Sequence, residues 1–383
     1  MTISKPKSTG QTTNQPLSTR ALNRALLARQ LLLSRSDLSV REAVRHLVGL
    51  QAQAPNPPYV ALWARLRQFR HEELSAHLME RSMVRIALMR STLHLVTADD
   101  CVTLRPLLQS VQERGLKGSF GKKLAELDLD ALAAAGRALL EAQPLTFSEL
   151  GKRLQALWPH GDATALSQAV RCRLPLVQVP PRGIWGASGQ AAHTTAEAWL
   201  GRPLAEEPDL GAMLLRYLAA FGPASVKDMQ VWSGLTRLRE VVERLRPSLL
   251  AFRDEQGNEL FDLPGAPRPD PATPAPMRFL SEFDNMLLSY DDRSRILQDD
   301  DKHLVFTDNG IIRATLLVDG FVCGIWSVTQ KRKAADLNIS LFRPISEEQL
   351  NSIREEAERL FDFIAPDAET KDIHITYSRN TSL

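Results

Sequence analysis

Gln51 and Gln53 stand two residues apart, with the small apolar Ala52 between them and Pro55, Pro57 and Pro58 close behind. In a helix, residues two apart point to different faces. In extended chain they point the same way. Residues 40–50 carry apolar side chains at helical spacing, and the prolines push the backbone before them out of the helical region. The pair therefore falls where a helix gives way to extended chain, with both amides presented to one side. Two carboxamides so placed can hold one water or one polar group, because each can accept and donate a hydrogen bond. Polar residues also cluster in such connections as plain solvated surface. Spacing alone leaves both readings open.

Other residues could support chemistry around this pair. MVRIALMRSTLHLV, residues 83–96, alternates in period two on either side of Arg90-Ser91 and reads as a hairpin. Thr92 and His94 then share one strand face, either meeting a polyanion or packing beside their neighbours. Arg90 at the turn is a candidate phosphate contact or a solvated cation. ERGLKGSFGKK, residues 113–123, mixes three glycines with Lys117, Lys122 and Lys123. Flexible backbone with lysines suits phosphate contact, and a mobile interdomain link suits the pattern equally. It lacks the GxxxxGK[ST] spacing of a nucleotide loop. Lys331, Arg332 and Lys333 follow a strand and either touch phosphate or face solvent. Asp284 and Asn285 favour a turn-forming role over a ligand contact. Asp299–Asp301 is an acidic turn without the partners that a metal site needs. No metal and no cofactor is expected.

The bulk composition is that of an ordinary globular chain. At 383 residues, 44% hydrophobic and 24% charged, two to three domains are expected and no apolar run is long enough for a membrane span. Residues 1–16 read as a disordered polar tail without the apolar core of a secretory signal. Cys101, Cys172 and Cys323 are far apart, which argues for a reducing cytoplasm and against a disulfide framework or a zinc site. Residues 1–130 hold 19 Lys and Arg against 11 Asp and Glu, a net +8, and the remainder carries −6. A basic N-terminal third suits a polyanion-binding face.

The elements that must position the glutamines recur along the chain. Helical stretches are expected at 17–34, 40–50, 57–67 and 71–81 before the first hairpin. A second set follows at 129–142, 146–157 and 163–173, with a hairpin around Pro180–Gly183. A third lies at 210–221, 225–233 and 235–245, with a hairpin turning at Gln256–Asn258. Helices followed by a β-hairpin make the winged-helix layout. The expected domains are 17–128, 129–205 and 206–263, then a proline-rich linker at 264–277 and a β-rich region with one helix at 278–383. The fold class is thus α+β, with three tandem winged-helix units.

Taken together, the chain resembles the AlkZ-like family of bacterial winged-helix DNA glycosylases. GLQAQAPNPPYVALWARL resembles the segment that carries that family's Gln-Φ-Gln signature, where Φ is aliphatic, and Ala52 is a small occupant of Φ. MRSTLHLV, GPASVKDMQVWSGL, FLSEFDNMLLSYDDRSRI and VDGFVCGIWSV are similar to further family landmarks, in the expected order from residue 49 to residue 328. A sister branch, the YcaQ-like enzymes, has Asp where this chain has Gln53. The resemblance implies tandem winged helices forming a concave DNA cleft. It also implies hydrolysis of the N-glycosidic bond of alkylated guanine, including bases tied into interstrand crosslinks, in base excision repair.

On that resemblance Gln51 and Gln53 are the catalytic candidates. Arg90, Thr92, His94, Lys117, Lys122, Lys123, Lys331, Arg332 and Lys333 are the DNA-binding candidates. The expected partner is double-stranded DNA carrying alkylated guanine, met by a monomer in the cytoplasm, at the nucleoid. An N7-alkylated guanine is already a cationic leaving group, and its loss leaves an oxocarbenium-like sugar, so no strong general acid is needed. No lysine near the glutamines suggests a lyase step. The competing reading is a non-catalytic winged-helix DNA binder or transcriptional regulator, and a weaker third is an interaction scaffold.

Overall fold

The computed structural model describes residues 15–331 and 333–378. The chain opens with α1 (Thr19–Arg29) and α2 (Val40–His46), then β1 (Leu50–Gln51), α3 (Pro57–Arg65), α4 (His71–Met79), β2 (Met83–Ala87) and β3 (Leu93–Thr97). Next come α5 (Ala98–Leu107), α6 (Gln109–Leu124), α7 (Leu129–Ala142), β4 (Leu145–Thr146), α8 (Phe147–Leu157), α9 (Ala163–Arg173), β5 (Leu176–Gln178), β6 (Ala192–Thr195) and α10 (Ala196–Leu200). A third stretch holds α11 (Leu210–Phe221), α12 (Val226–Ser233), α13 (Arg239–Leu245), β7 (Leu250–Arg253) and β8 (Glu259–Asp262). The chain closes with β9 (Arg278–Leu280), α14 (Asn285–Leu288), α15 (Lys302–Val305), β10 (Thr315–Val318), β11 (Phe321–Lys331), β12 (Ala334–Leu341), α16 (Glu347–Ile364) and β13 (Thr370–Tyr377).

One order of elements occurs three times: helix, short strand, two helices, then two strands, with the short strand pairing to the last one. In the first unit β1 pairs with β3, which pairs with β2. In the second, β4 pairs with β6 and β6 with β5. In the third a single bridge, Ala224 to Phe261 of β8, replaces the short strand. Local sequence marks where the helix after the short strand must start. Thr146 with Glu149 and Ser225 with Asp228 form capping boxes that begin α8 and α12 straight after the strand. The first unit differs. Residues 52–56 intervene between β1 and α3, and α3 starts on prolines at its first turn without a side-chain cap. That short insertion carries Gln53.

The units are less separate than the sequence suggests. β2 pairs with β5, so the strands of the first two units form one six-stranded sheet, β1-β3-β2-β5-β6-β4, across the expected boundary at 128. The second unit keeps its own apolar core around Leu140, Leu150, Leu154 and Val170. The first and third units share a core with the C-terminal region. The hairpin expected around Pro180–Gly183 is instead a long connection, residues 179–191, between β5 and β6.

Helix α1 serves the third unit and the C-terminal sheet. Arg29 forms a buried pair with Asp262 at 2.6 Å, and Asn23 donates to the carbonyls of Arg295 and Gly320. The proline-rich segment is irregular, as its composition demands, yet it is pinned along α1. Arg20 and Arg24 donate to the carbonyls of Pro271 and Thr273. The C-terminal sheet runs β13-β12-β11-β10-β9, with α16 packed on β9 and β13 and opened by the Ser346–Gln349 capping box. No described helix is long and apolar enough to cross a membrane.

Candidate active site

The glutamine segment is built against the β2–β3 hairpin. Gly49 enters β1 at φ 94°, a backbone state that favours glycine. A Cβ there would stand 2.6 Å from Val96 Cγ1 and 3.0 Å from Leu95 O. Its carbonyl accepts from Asn285 Nδ2 at 2.7 Å. Gln51 is the last residue of β1 and lies opposite His94 on β3. Ala52 N donates to Leu93 O at 2.7 Å, and the chain then leaves the sheet.

The two carboxamides meet the same stretch of that hairpin, residues 90–93. Gln51 is 6% exposed, and its Oε1 accepts from Arg90 Nη2 at 2.8 Å and from Thr92 Oγ1 at 3.3 Å. Both lone pairs of that oxygen are therefore taken. The partners donate, so the oxygen must face inward. Gln51 Nε2 bonds to no described residue and is left for a ligand. Gln53 is exposed, and its Oε1 accepts one bond, from Leu93 N at 3.0 Å. One lone pair and its Nε2 remain over. The pair thus offers two donors from one residue and both donors and an acceptor from the other.

The hairpin turn is strained and heavily supported. Arg90 and Ser91 have φ 55° and 60°, successive left-handed residues where Asn-Gly would be at ease. Each position costs on the order of 1–2 kcal/mol for an ordinary L residue. Contacts from three directions hold them. Arg90 Nη1 donates to Trp232 O at the end of α12. Ser91 Oγ donates to Gln112 Oε1 of α6 at 2.7 Å, and Arg171 Nη2 of α9 donates to Ser91 O at 3.0 Å. Gly234 closes α12 at φ 80°, and a Cβ there would come within 3.2 Å of the Arg90 backbone. All three units therefore converge on residues 90–92.

Arg85 of β2 supports the insertion from another side. Its Nη2 donates to Ala52 O at 2.7 Å and to Ala54 O at 3.3 Å, the carbonyls that flank Gln53. Its Nε and Nη1 are buried without a partner among the described residues. Burial, reinforced by Arg182, lowers its pKa to about 10. Burial and the nearby Arg293 bring Arg90 to about 10 as well. His94 is pushed down to about 3 by burial first and then by Arg90. The imidazole is neutral, and the guanidiniums are charged, throughout the ordinary range.

These positions correct several expectations. His94 is 1% exposed, with Nδ1 against Thr92 O at 2.9 Å, so it packs beneath Gln51 and cannot meet a phosphate directly. Residues 113–123 are not a flexible link but lie inside α6. Three glycines weaken a helix by about 1 kcal/mol each, and here packing against α9 and the hairpin turn outweighs that. Lys117 and Lys122 are exposed on α6, whereas Lys123 pairs with Asp162 at 2.7 Å. Lys333 pairs with Glu369 rather than standing free. Arg332 and the Lys331 side chain lie outside the described residues. Asp284 is buried in a two-pronged pair with Arg65 at 2.8 and 2.9 Å. With Asn285 beside it, this brace fixes the C-terminal region to α3 and to Gly49. Among the described residues no group of three His, Cys, Asp or Glu is placed to hold a metal.

Sequence reasoning missed Arg85, Gln112, Arg171 and Trp232. Arg85 had a signal: a lone cation inside MVRIALM. Alternation with Val84, Ile86 and Leu88 puts it on the opposite strand face. In fact every residue of β2 is buried, because both sheet faces are covered.

A family model described as DNA glycosylase AlkZ-like matches residues 44–363. A curated relative from Streptomyces sahachiroi, described as an interstrand DNA cross-link repair glycosylase, is 25% identical over 337 residues, which span 80% of this chain and 86% of the relative. The solved structure of the Streptomyces sahachiroi DNA glycosylase AlkZ superimposes with a TM-score of 0.77 at 20% identity, covering 95% of this chain and all of that one.

Proposed function

The chain belongs to the AlkZ-like family of DNA glycosylases, and from that premise we propose that it hydrolyses the N-glycosidic bond of N7-alkylated guanine in duplex DNA. We propose further that its three repeated units act as winged helices around a concave, open DNA cleft, with Gln51 and Gln53 at the reacting sugar. One observation carries this reading. Both carboxamide oxygens are anchored to residues 90–93 of one braced hairpin, so the amides are preorganised rather than loosely solvated.

The chemistry follows from what each amide has left over. The C1′–N9 bond breaks, its electron pair passes into the base, and the N7 charge is cancelled. Water adds to C1′ and releases its proton to solvent. Positive charge gathers on the sugar in between, as in other glycoside hydrolyses. The spare lone pair of Gln53 Oε1 accepts from the attacking water and aims its oxygen at C1′. Gln51 Nε2, a donor, meets an oxygen of the sugar or the departing base. Neither amide needs to ionise, because positioning and oriented dipoles do the work. An open cleft would also admit a base that is tied to the opposite strand, which cannot be swung fully into a closed pocket. The description of the Streptomyces relative favours such crosslinked substrates.

The test uses a duplex with a single N7-methylguanine, with abasic product read after mild strand cleavage. The parent should yield product, and a Gln51→Ala, Gln53→Ala double variant should not. DNA binding without product from the parent would favour the non-catalytic DNA binder.

A further inference from the structure

Beside Ser91, between α6 and α9, lies a cavity of about 170 Å³. It is lined by the hairpin residue Ser91, by Gln112, Gly115 and Ser119 of α6, and by Gln168 and Arg171 of α9. We propose that this cavity seats a DNA backbone phosphate next to the damaged nucleotide, and so sets where the strand lies relative to Gln51 and Gln53. The inference rests on the function proposed above.

Leu116, Phe120 and Cys172 complete the lining, and its polar members suit an anion. Arg171 is its one cation, and no Asp or Glu contributes to it. Arg171 spends Nη2 on Ser91 O at 3.0 Å and reaches Gln168 Oε1 with Nη1 only at 3.5 Å. Several of its five donors remain over. Ser119 Oγ has no hydrogen-bond partner among the described residues. Gln112 Oε1 accepts the Ser91 hydroxyl, and Gln112 Nε2 donates to Leu88 O. Donors are left to spare in a half-enclosed cavity beside a guanidinium, a setting that favours an anion.

The wall is also bare at Gly115, where a Cβ would meet only Ser91 Oγ at 4.0 Å. Internal packing therefore does not demand this glycine, although it weakens the helix. Lys117 stands exposed on the same helix and adds to the local field. The link to catalysis is covalent and short. Ser91 touches the cavity, while its neighbours Arg90 and Thr92 hold Gln51 Oε1. A phosphate held here fixes the register of the sugar at the glutamines, as phosphate contacts do in general.

The experiment measures affinity for undamaged duplex between 50 and 200 mM salt, for the parent, Arg171→Gln, Ser119→Glu and a Lys371→Gln control on β13. One lost phosphate contact lowers the slope of log affinity against log salt by about 0.9, or about 3.5-fold over this salt range. Arg171→Gln should show that loss. Ser119→Glu, which places a carboxylate at the mouth without touching the hairpin, should weaken binding several-fold. The control should keep the parent slope. Parent-like affinity and slope in both folded cavity variants would overturn the proposal, even if the parent excises N7-methylguanine. A parent that neither excises nor binds duplex would overturn the function reading and this inference with it.

Discussion

Replacing Gln51 by Glu should make the protein more stable and less active at once. Arg90 is a half-buried cation whose present acceptors, Gln51 Oε1 at 2.8 Å and Trp232 O, are both neutral. A carboxylate at residue 51 would give it an anion in the same place. The gross attraction at about 4 Å with an effective dielectric near 20 is about 4 kcal/mol, most of which the carboxylate's lost hydration offsets. What survives is the gap between a charge-assisted and a neutral hydrogen bond, about 1 kcal/mol. For a chain of this size that is a rise in Tm of roughly 1 °C. The same change removes Gln51 Nε2, the one donor that the residue has to offer a substrate, and the loss of one preorganised donor costs ~10²–10³ in rate. Gln51→Ala cannot separate these effects. It also strands Arg90 and Thr92, at a cost of about 1–3 kcal/mol. Melting curves and single-turnover excision of N7-methylguanine at saturating enzyme would measure both halves. Excision within about three-fold of the parent would refute the assignment of Nε2 as the working atom. A lowered Tm would refute the claim that Arg90 lacks an anion.

Three further outcomes are expected. Arg85→Met should slow excision about ten-fold by freeing the carbonyls of Ala52 and Ala54, yet change stability by under about 1 kcal/mol, because a buried cation with two unpartnered nitrogens contributes little net stability; excision rates and urea titrations check both. The single-turnover rate should be flat from about pH 5 to 8, since His94 titrates near 3 and Arg90 near 10, and a bell-shaped profile would point to a general acid or base elsewhere. Stability should decline on acidification: His94 and His193 have folded pKa values of about 3 and 4, below the unfolded value of about 6.5, so their contribution is whole above pH 6.5 and is lost as pH falls towards those folded values. Each costs up to about 1.4 kcal/mol per pH unit in that window, and His94→Gln should flatten the decline.

Some of this was legible in the chain and some was not, for identifiable reasons. The second and third units announce their helices with Thr146, Glu149, Ser225 and Asp228, because capping is local chemistry. Gln51 and Gln53 stood out because prolines force a break just beyond them. Sheet pairing between units was hidden. β2 finds β5 some ninety residues later through two register pairs, Arg85 with Gln178 and Ile86 with Val177, and nothing local encodes that choice. The helix through residues 113–123 was hidden for the opposite reason. Its local signal, three glycines, argues against a helix, and tertiary contacts with α9 override it. His94 was misplaced because alternation tells which residues share a face but not whether that face is covered.

The same division explains why the proposed site falls in the first unit alone. All three units share one order of elements, so the fold by itself selects none of them. Where the second unit runs from β4 straight into α8 on Thr146, and the third from Ala224 into α12 on Ser225, the first inserts residues 52–56. That insertion lifts Gln53 off the sheet, while Gln51 stays in register with His94. The hairpin turn that both amides use is strained, and its supports come from α6 of its own unit, α9 of the second and α12 of the third. A first unit taken alone would keep the α6 contact but lose those from α9 and α12. The second and third units therefore help to hold the turn in shape. If the glutamines act as proposed, excision should be lost when the second or third unit is undocked from that turn, even though neither carries the glutamines.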